Sequence, residues 1–495
     1  MTLDAAACYR ALASRDARFD GRFFTGVTTT GVYCRPICPA RTPAATNVRF
    51  YPCAAAAEAD GFRPCRRCRP DTAPGTPAWE GAPVTVARGL RLIRDGVLDD
   101  EGIDAFAGRL GLGARQVRRL FETHVGASPS DIARLRRVHF ARALLDDRTM
   151  RLADVAFAAG FQSVRQFNHA FRQTFKAAPR TLRAASRAQP GAGDPAIVMR
   201  LAFRPPLDLP WLMSLLAGRA APGVEAVEEG AYRRTVSVGG ASGWIEVRGV
   251  DAAGGLRHLE TRASASLAPH LMRVASSVRR VFDLDADPDT IRRALATEAR
   301  MARLVAARPG LRVPGAWHPW EIATRAIVGQ QISVQAATTI VGRVVERVGG
   351  RVATPFPALT RLFPDAAAVA GADLTNIGMP GRRVDTLKRF AAGVADGTIR
   401  LEATGGPDDT VRALCAVPGI GPWTAEYIAL RALGEPDAFP AGDLGLRKAL
   451  GNGVPVPELE VAAAAEAWRP WRGYAAMYLW SSLAETENRK LKTRN

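Results

Sequence analysis

The sequence predicts a multidomain, mainly α-helical protein: a small α/β domain around a cysteine cluster, an all-α tandem helix-turn-helix domain, a small α+β domain and a large all-α domain. Three observations carry this. A chain of 495 residues holds three or four domains at about 150 residues each. Four of its seven cysteines fall in two short-spaced pairs before residue 70. From Asp285 onward, Ala- and Leu-rich helical periodicity runs almost unbroken.

Composition narrows the classes. With 47% hydrophobic and 23% charged residues the chain is ordinary folded protein. The start, Met1 to Phe19, lacks the apolar run of a signal peptide, and about 18 uninterrupted apolar residues occur nowhere. A cytoplasmic protein with no membrane partner is expected. Lys and Arg number 67 against 48 Asp and Glu, a net charge of +19, which points to a polyanionic partner because each neutralised phosphate releases counterions.

Two stretches rich in Pro, Gly, Ala and Ser, Asp71 to Pro83 and Ala184 to Ala196, read as linkers. Domains are accordingly expected at 1–75, 83–185, 197–284 and 285–488. Residues 83–190 hold 19 basic against 10 acidic side chains, the densest basic excess of the chain and the first candidate for phosphate contacts.

In the first domain, Cys34-x3-Cys38 and Cys65-x2-Cys68 are two chelating pairs of the kind that close a tetrahedral four-cysteine zinc site. Arg35, Arg41, Arg63, Arg66, Arg67 and Arg69 surround them, charges expected to attract phosphate and offset a zinc tetrathiolate. A purely structural zinc is the bland alternative. Thr30-Gly31-Val32-Tyr33-Cys34-Arg35-Pro36-x-Cys38 with Gly61-Phe62-Arg63-Pro64-Cys65-x-x-Cys68 resembles the N-terminal zinc domain of the Ada adaptive-response family. The resemblance implies that Cys34 accepts a methyl group from a DNA methylphosphotriester, that Cys34, Cys38, Cys65 and Cys68 hold one Zn2+, and that Thr30 and Arg41 approach the DNA backbone or support the active cysteine.

The second domain repeats at an offset of 50 residues: Val117, Phe121, Val125 and Pro129 answer Phe167, Phe171, Phe175 and Pro179. Each copy has a short Ala-rich helix (Ile103 to Leu110, Leu152 to Ala159), a Gly turn and a second helix, the pattern of a helix-turn-helix. Arg115, Arg118 and Arg119, and Arg165, Asn168 and Arg172, fall on or near the second helices, where a major-groove reader needs donors. The repeat resembles AraC-type DNA-binding domains, implying promoter DNA and, for an activator, RNA polymerase as partners. Lys176 stands where the first copy has Gly126.

The third domain shows short alternating runs, Thr235 to Val238 and Trp244 to Val247, expected as strands. In the fourth, Pro418-Gly419-Ile420-Gly421-Pro422-Trp423 is a Gly-x-Gly hairpin opening a helix, whose backbone N–H groups can converge on a phosphate. With Asp443, 22 residues after Gly421, it resembles the helix-hairpin-helix DNA glycosylases. Arg325 to Ser333, Gly378-Met379-Pro380-x-Arg382-Arg383 and Trp468 to Ala475 narrow the resemblance to AlkA-type 3-methyladenine glycosylases over roughly residues 198–485.

That resemblance implies base excision repair of alkylated duplex DNA by base flipping. Asp443 would stabilise the oxocarbenium-like sugar and position water. Trp423, Tyr427 and Trp480 would line the base pocket, Gly419 and Gly421 would hold the backbone, and Gln331 would fill the vacated space. Trp423 takes the place of a Schiff-base lysine, so a monofunctional hydrolase is expected. Gln331 replaces the family's wedge leucine and Ser481 its second pocket aromatic. The alternatives are a damage-responsive regulator with a structural zinc and a non-catalytic C-terminal half, and a glycosylase tethered to DNA by a structural zinc domain.

Overall fold

The structure, a computed structural model, describes residues 3–73, 84–145, 150–184, 196–252, 255–402 and 407–492. The two stretches read as linkers lie largely outside these. The chain divides into two compact units, one of residues 1–205, 237–279 and 284–286, the other of 206–236, 280–283 and 287–495. The division runs through the segment 197–284. No described helix is long and apolar enough to cross a membrane.

The first unit opens with a four-stranded sheet of β1 (Phe24–Val27), β2 (Val32–Cys34), β3 (Val48–Tyr51) and β4 (Arg63–Pro64), ordered β3-β1-β2-β4. β1 and β2 form a hairpin in which Thr25 faces Cys34 and Val27 faces Val32. Gly31, at φ +63°, turns it. β4 joins parallel to β2, with Tyr33 beside Pro64. This pairing sets the two cysteine pairs at the same end of neighbouring strands. Phe24, Tyr33, Ala57 and Phe62 form the core beneath.

Eight helices follow between Val84 and Ala184. In each helix-turn-helix the second helix, Ala114–Val125 or Val164–Phe175, buries the repeat positions expected from the sequence: Val117, Phe121 and Val125, then Phe167, Phe171 and Phe175. Gly113 and Ser163 begin these helices, and the Ser163 hydroxyl accepts from the Gln166 N–H. Gly126 ends the first at φ +78°, and Lys176 ends the second in the same left-handed region at φ +50°. The turn is therefore kept in the second copy despite the missing glycine.

The helical block and the sheet share a core. Cys53, Ala55 and Ala56 cluster with Val86, Phe106, Val117, Phe121 and Val125. The Cys53 thiol lies 3.3 Å from the Val125 carbonyl oxygen, Thr174 donates to Glu58 at 2.6 Å, and the Tyr33 hydroxyl lies 3.2 Å from His139 Nε2 on the helix Pro129–Leu144. The unit also contains an antiparallel set of β5 (Ile197–Ala202), β9 (Gly255–Ala263) and most of β8 (Ala241–Ala252).

The second unit begins with the helix Leu209–Ala217 and the hairpin of β6 (Glu225–Glu228) with β7 (Ala231–Val238), pairing Glu225 with Arg234. Its apolar core gathers Trp320, Ile327, Val341, Phe390, Leu414 and Ile428. A buried ion cluster ties the hairpin to the helix Pro319–Val328. Glu225 accepts from the Tyr232 hydroxyl at 2.7 Å, from the Ala221 N–H at 3.0 Å, and from Arg325. Arg234 donates to both oxygens of Glu321 at 2.8 and 3.0 Å. Burial pushes the Glu225 carboxyl up, but Arg325 and Arg234 outweigh it and hold it at about 2.

Lys176→Gly should stabilise the first unit. A left-handed backbone costs a side-chain-bearing residue about 1–2 kcal/mol, part of which glycine returns through its freer unfolded chain, leaving a gain of about 0.5–1 kcal/mol. Urea denaturation of both proteins checks it; a loss of stability would mean that the lysine side chain contributes more than the backbone costs.

Candidate functional site

In the second unit the Gly-x-Gly hairpin opens the helix Pro422–Arg431. Gly419 sits at φ +90° against Thr386 of the helix Gly381–Ala395, where any Cβ would collide with the threonine side chain. Gly421 caps the helix and Pro422 begins it. Gln330 braces the hairpin, its amide donating to the Gly419 carbonyl and to the Thr424 hydroxyl, both at 3.0 Å. The next residue, Gln331, is exposed at φ +59°, a conformation that costs a side-chain-bearing residue energy and presents it outward.

Asp443 lies at the start of the helix Leu444–Leu450 and is held by three uncharged donors. Its Oδ1 accepts from the Leu446 N–H at 3.0 Å and from Trp480 Nε1 at 2.8 Å. Its Oδ2 accepts from Trp423 Nε1 at 2.9 Å. Trp423 and Tyr427, four residues apart on one helix face, are stacked with centroids 5.5 Å apart and planes at 18°. Trp480 closes against Tyr427 at 6.4 Å and 58°. The carboxylate is thus fixed at the edge of an aromatic cluster by the same rings that form it.

The loop before Asp443 is held from two sides. Arg472 donates to the Asp437 carboxylate at 3.0 Å, and Arg469 pairs with it too. Glu426, on the pocket helix, accepts from the Phe439 N–H at 2.8 Å. Burial pushes the Glu426 carboxyl up to about 7, helped by Asp408 and Asp437 and opposed by the Phe439 N–H and Arg472.

Sequence reasoning placed Gly419, Gly421, Trp423, Tyr427, Asp443 and Trp480 in one site, and the fold brings these six together. It passed over Gln330, Glu426 and Arg431. Arg431 donates to the Tyr427 hydroxyl at 3.1 Å, and its spacing of four from Tyr427 was the available signal. Ser481 turns its hydroxyl back to the Tyr478 carbonyl at 2.8 Å and is buried in its own helix.

In the first unit the ligand atoms of Cys34, Cys38, Cys65 and Cys68 all lie within 4.8 Å of one another. A tetrahedron with Zn–S bonds of about 2.3 Å separates its sulfurs by about 3.8 Å, so four thiols, none in a disulfide, fit the donor set of zinc. Cys34, Cys38 and Cys68 are buried and Cys65 is the most accessible. The Arg35 N–H approaches Cys68 Sγ at 3.4 Å.

The surrounding arginines divide. Arg35 pairs with Asp20 and donates to the Thr72 hydroxyl at 2.8 Å, and Arg69 pairs with Asp71 at 2.8 Å. These two brace the cluster instead of facing a phosphate. Among the described residues Arg41, Arg66 and Arg67 are exposed without an ion pair, as are Arg118 and Arg165 on the second helices; Thr30 is exposed as well.

A thiolate metal module, paired helix-turn-helix units and a glycine hairpin opening a helix are three separate devices for engaging DNA, and together they define a DNA-acting class that joins regulation to repair. Four family models match in succession: "Metal binding domain of Ada" over 7–71, "Helix-turn-helix domain" over 106–185, "AlkA N-terminal domain" over 198–318 and "HhH-GPD superfamily base excision DNA repair protein" over 324–472. The chain belongs to the family of bifunctional transcriptional activator/DNA repair enzymes of the AlkA type. It is 42% identical over 485 residues to the "Probable bifunctional transcriptional activator/DNA repair enzyme AlkA" of Mycobacterium tuberculosis, covering 97% of each chain. It is 35% identical to "DNA-3-methyladenine glycosylase 2" of Escherichia coli, over 57% of this chain and 95% of that one. To the Escherichia coli "Bifunctional transcriptional activator/DNA repair enzyme Ada" it is 34% identical, over 24% of this chain and 33% of the other. With that family's metal-binding domain matched, the four cysteines constitute a site for one Zn2+.

The raised Glu426 carboxyl gives a pH signature. Between its ordinary value and about 7 the folded state keeps a proton that the unfolded state has lost, so stability falls as pH rises through that window. Glu426→Gln removes the titration. Relative to the variant, the native protein should lose about 2–3 kcal/mol between pH 5 and pH 8, read from denaturation curves at both pH values; parallel curves would show that Glu426 ionises normally.

Proposed function

We infer that this protein is a monofunctional DNA glycosylase that hydrolyses the N-glycosidic bond of alkylated bases of the 3-methyladenine and 7-methylguanine type, joined to a methyl-accepting, DNA-reading regulatory half. The observation that carries the reading is Asp443, held by Trp423 and Trp480 at the edge of the aromatic cluster. A flipped base would lie against the rings while the carboxylate faces the sugar that becomes cationic as the base leaves. Three uncharged donors orient the carboxylate without neutralising it. No lysine stands at the Trp423 position to attack the sugar, so water completes the reaction and an abasic site remains.

The hairpin N–H groups at Gly419 and Gly421 would bind a backbone phosphate, and the outward Gln331 would enter the space the base vacates. A polar wedge stacks less well than a leucine, so flipping draws more on the pocket than on the wedge.

In the regulatory half Zn2+ would hold the sulfurs as thiolates at neutral pH. Cys34 sulfur attacks the methyl carbon of a methylphosphotriester; the S–C bond forms, the C–O bond breaks, and its electron pair stays on the phosphate as a diester anion. The cluster loses one negative charge and repels DNA less, so DNA read by Arg118 and Arg165 is bound more tightly and RNA polymerase can be recruited. Thr30 and Arg41 would contact the DNA backbone. The greater accessibility of Cys65 favours a second reading, in which Cys65 is the acceptor.

Two measurements test these assignments. Free-base release from methylated duplex DNA should fall about 10²–10³-fold in Asp443→Asn, because the amide loses the charge and sets an N–H2 against an indole N–H. Release unchanged in the variant would remove Asp443 from the chemistry. Peptide mass spectrometry after incubation with methylphosphotriester DNA should find one methyl group on Cys34 and none in Cys34→Ser; the label on Cys65 would select the second reading, and no label would leave the zinc structural.

A further inference from the structure

The row Trp423, Tyr427, Arg431 runs along one face of the pocket helix at spacings of four. Its last member is a buried guanidinium, 4% exposed, whose carbon lies 5.6 Å from the Tyr427 ring centroid. Arg431 donates to the Tyr427 hydroxyl at 3.1 Å and to the Pro314 carbonyl. Neither is anionic. The half-buried Arg219 also hydrogen-bonds the Tyr427 hydroxyl and otherwise donates only to the Leu215 carbonyl, at 3.5 Å. The third nearby guanidinium, Arg325, is neutralised by Glu225. Two cations without a carboxylate partner therefore converge on the hydroxyl that ends the aromatic stack. Burial pushes the phenol up, yet Arg431, Arg219 and Arg325 outweigh it and hold it below the ordinary tyrosine value.

This placement opposes the simple expectation for an aromatic pocket. Aromatic faces attract cations, but guanidinium charges in a low-dielectric site repel a cationic base and draw electron density from the Tyr427 face. They also favour departure of a base that leaves carrying negative charge, as an uncharged lesion does, over one that leaves neutral, as an N-alkylated cation does. Resting on the glycosylase reading above, we propose that Arg431 and Arg219 are specificity-determining residues that turn the pocket toward uncharged lesion bases at the expense of cationic N-alkylpurines. Their role is exerted through the Tyr427 ring and the local potential, without contact to the sugar.

The test compares kcat/KM for release of hypoxanthine, an uncharged base, with that for cationic 7-methylguanine, from otherwise identical duplexes and with the full chain. The ratio cancels any general loss of activity. In Arg431→Met it should shift toward 7-methylguanine by about tenfold, and in Arg219→Gln by about fivefold. Arg431→Lys, which keeps the charge, should stay within about twofold of the native ratio. Arg219 is half-buried, so its variant keeps the test available if Arg431→Met fails to fold. Ratios unchanged in both folded neutral variants overturn the proposal while leaving the glycosylase intact. A native protein that releases neither base overturns the glycosylase reading, and this inference with it.

Discussion

The second unit is organised around two carboxylates and two guanidiniums taken out of water together. Glu225 with Arg325, and Arg234 with Glu321, join the β6–β7 hairpin to the helix Pro319–Val328. Charges buried this deeply are tolerated only when every partner is in place, so the cluster admits one arrangement of hairpin and helix. The end of that helix delivers Gln330 to the hairpin at Gly419, and its Arg325 also holds the Arg219 carbonyl at 2.6 Å. Wedge, phosphate hairpin and pocket cation are registered against one another through this ionic core. Apolar packing could supply comparable stability with less restriction on geometry.

The same economy governs the pocket. Each indole serves twice, as a ring in the aromatic wall and as an N–H donor to Asp443. A carboxylate positioned by neutral donors keeps its charge for a ligand, whereas one positioned by arginine would already be compensated. The arginines are placed on the other side of Tyr427, where they alter the ring without quenching the acid. The pocket thus has an anionic edge and a cationic end, and charge is an axis along which a bound base can be sorted.

Local features were legible in the sequence. The repeat at 50 residues gave the buried positions of both second helices, the alternating runs at 235–238 and 244–247 fall in β7 and β8, and spacing alone grouped the four cysteines. Trp423 and Tyr427 follow from helical periodicity. The grip on Asp443 from Trp480, 37 residues onward, depends on how helices pack, which periodicity does not encode. Charge counting misjudged Arg35, because Asp20, 15 residues upstream, comes beside it only when the sheet forms. The loss of glycine at Lys176 suggested an altered turn, yet the surrounding helices impose the left-handed conformation on the lysine.

The thiolate module and the helix-turn-helix bundle share one apolar core. Ala56 packs against Gly126 so closely that a Cβ there would sit 3.1 Å away, and Tyr33, adjacent to Cys34, reaches His139 on the helix between the two copies. A recombination event that carried away the first 75 residues alone would strip Ala55 and Ala56 of their cover and leave Val125 facing water. Sensor and reader are therefore heritable as a single cassette, and the natural seam for exchanging regulatory halves among repair enzymes lies after Ala184 rather than after Asp71.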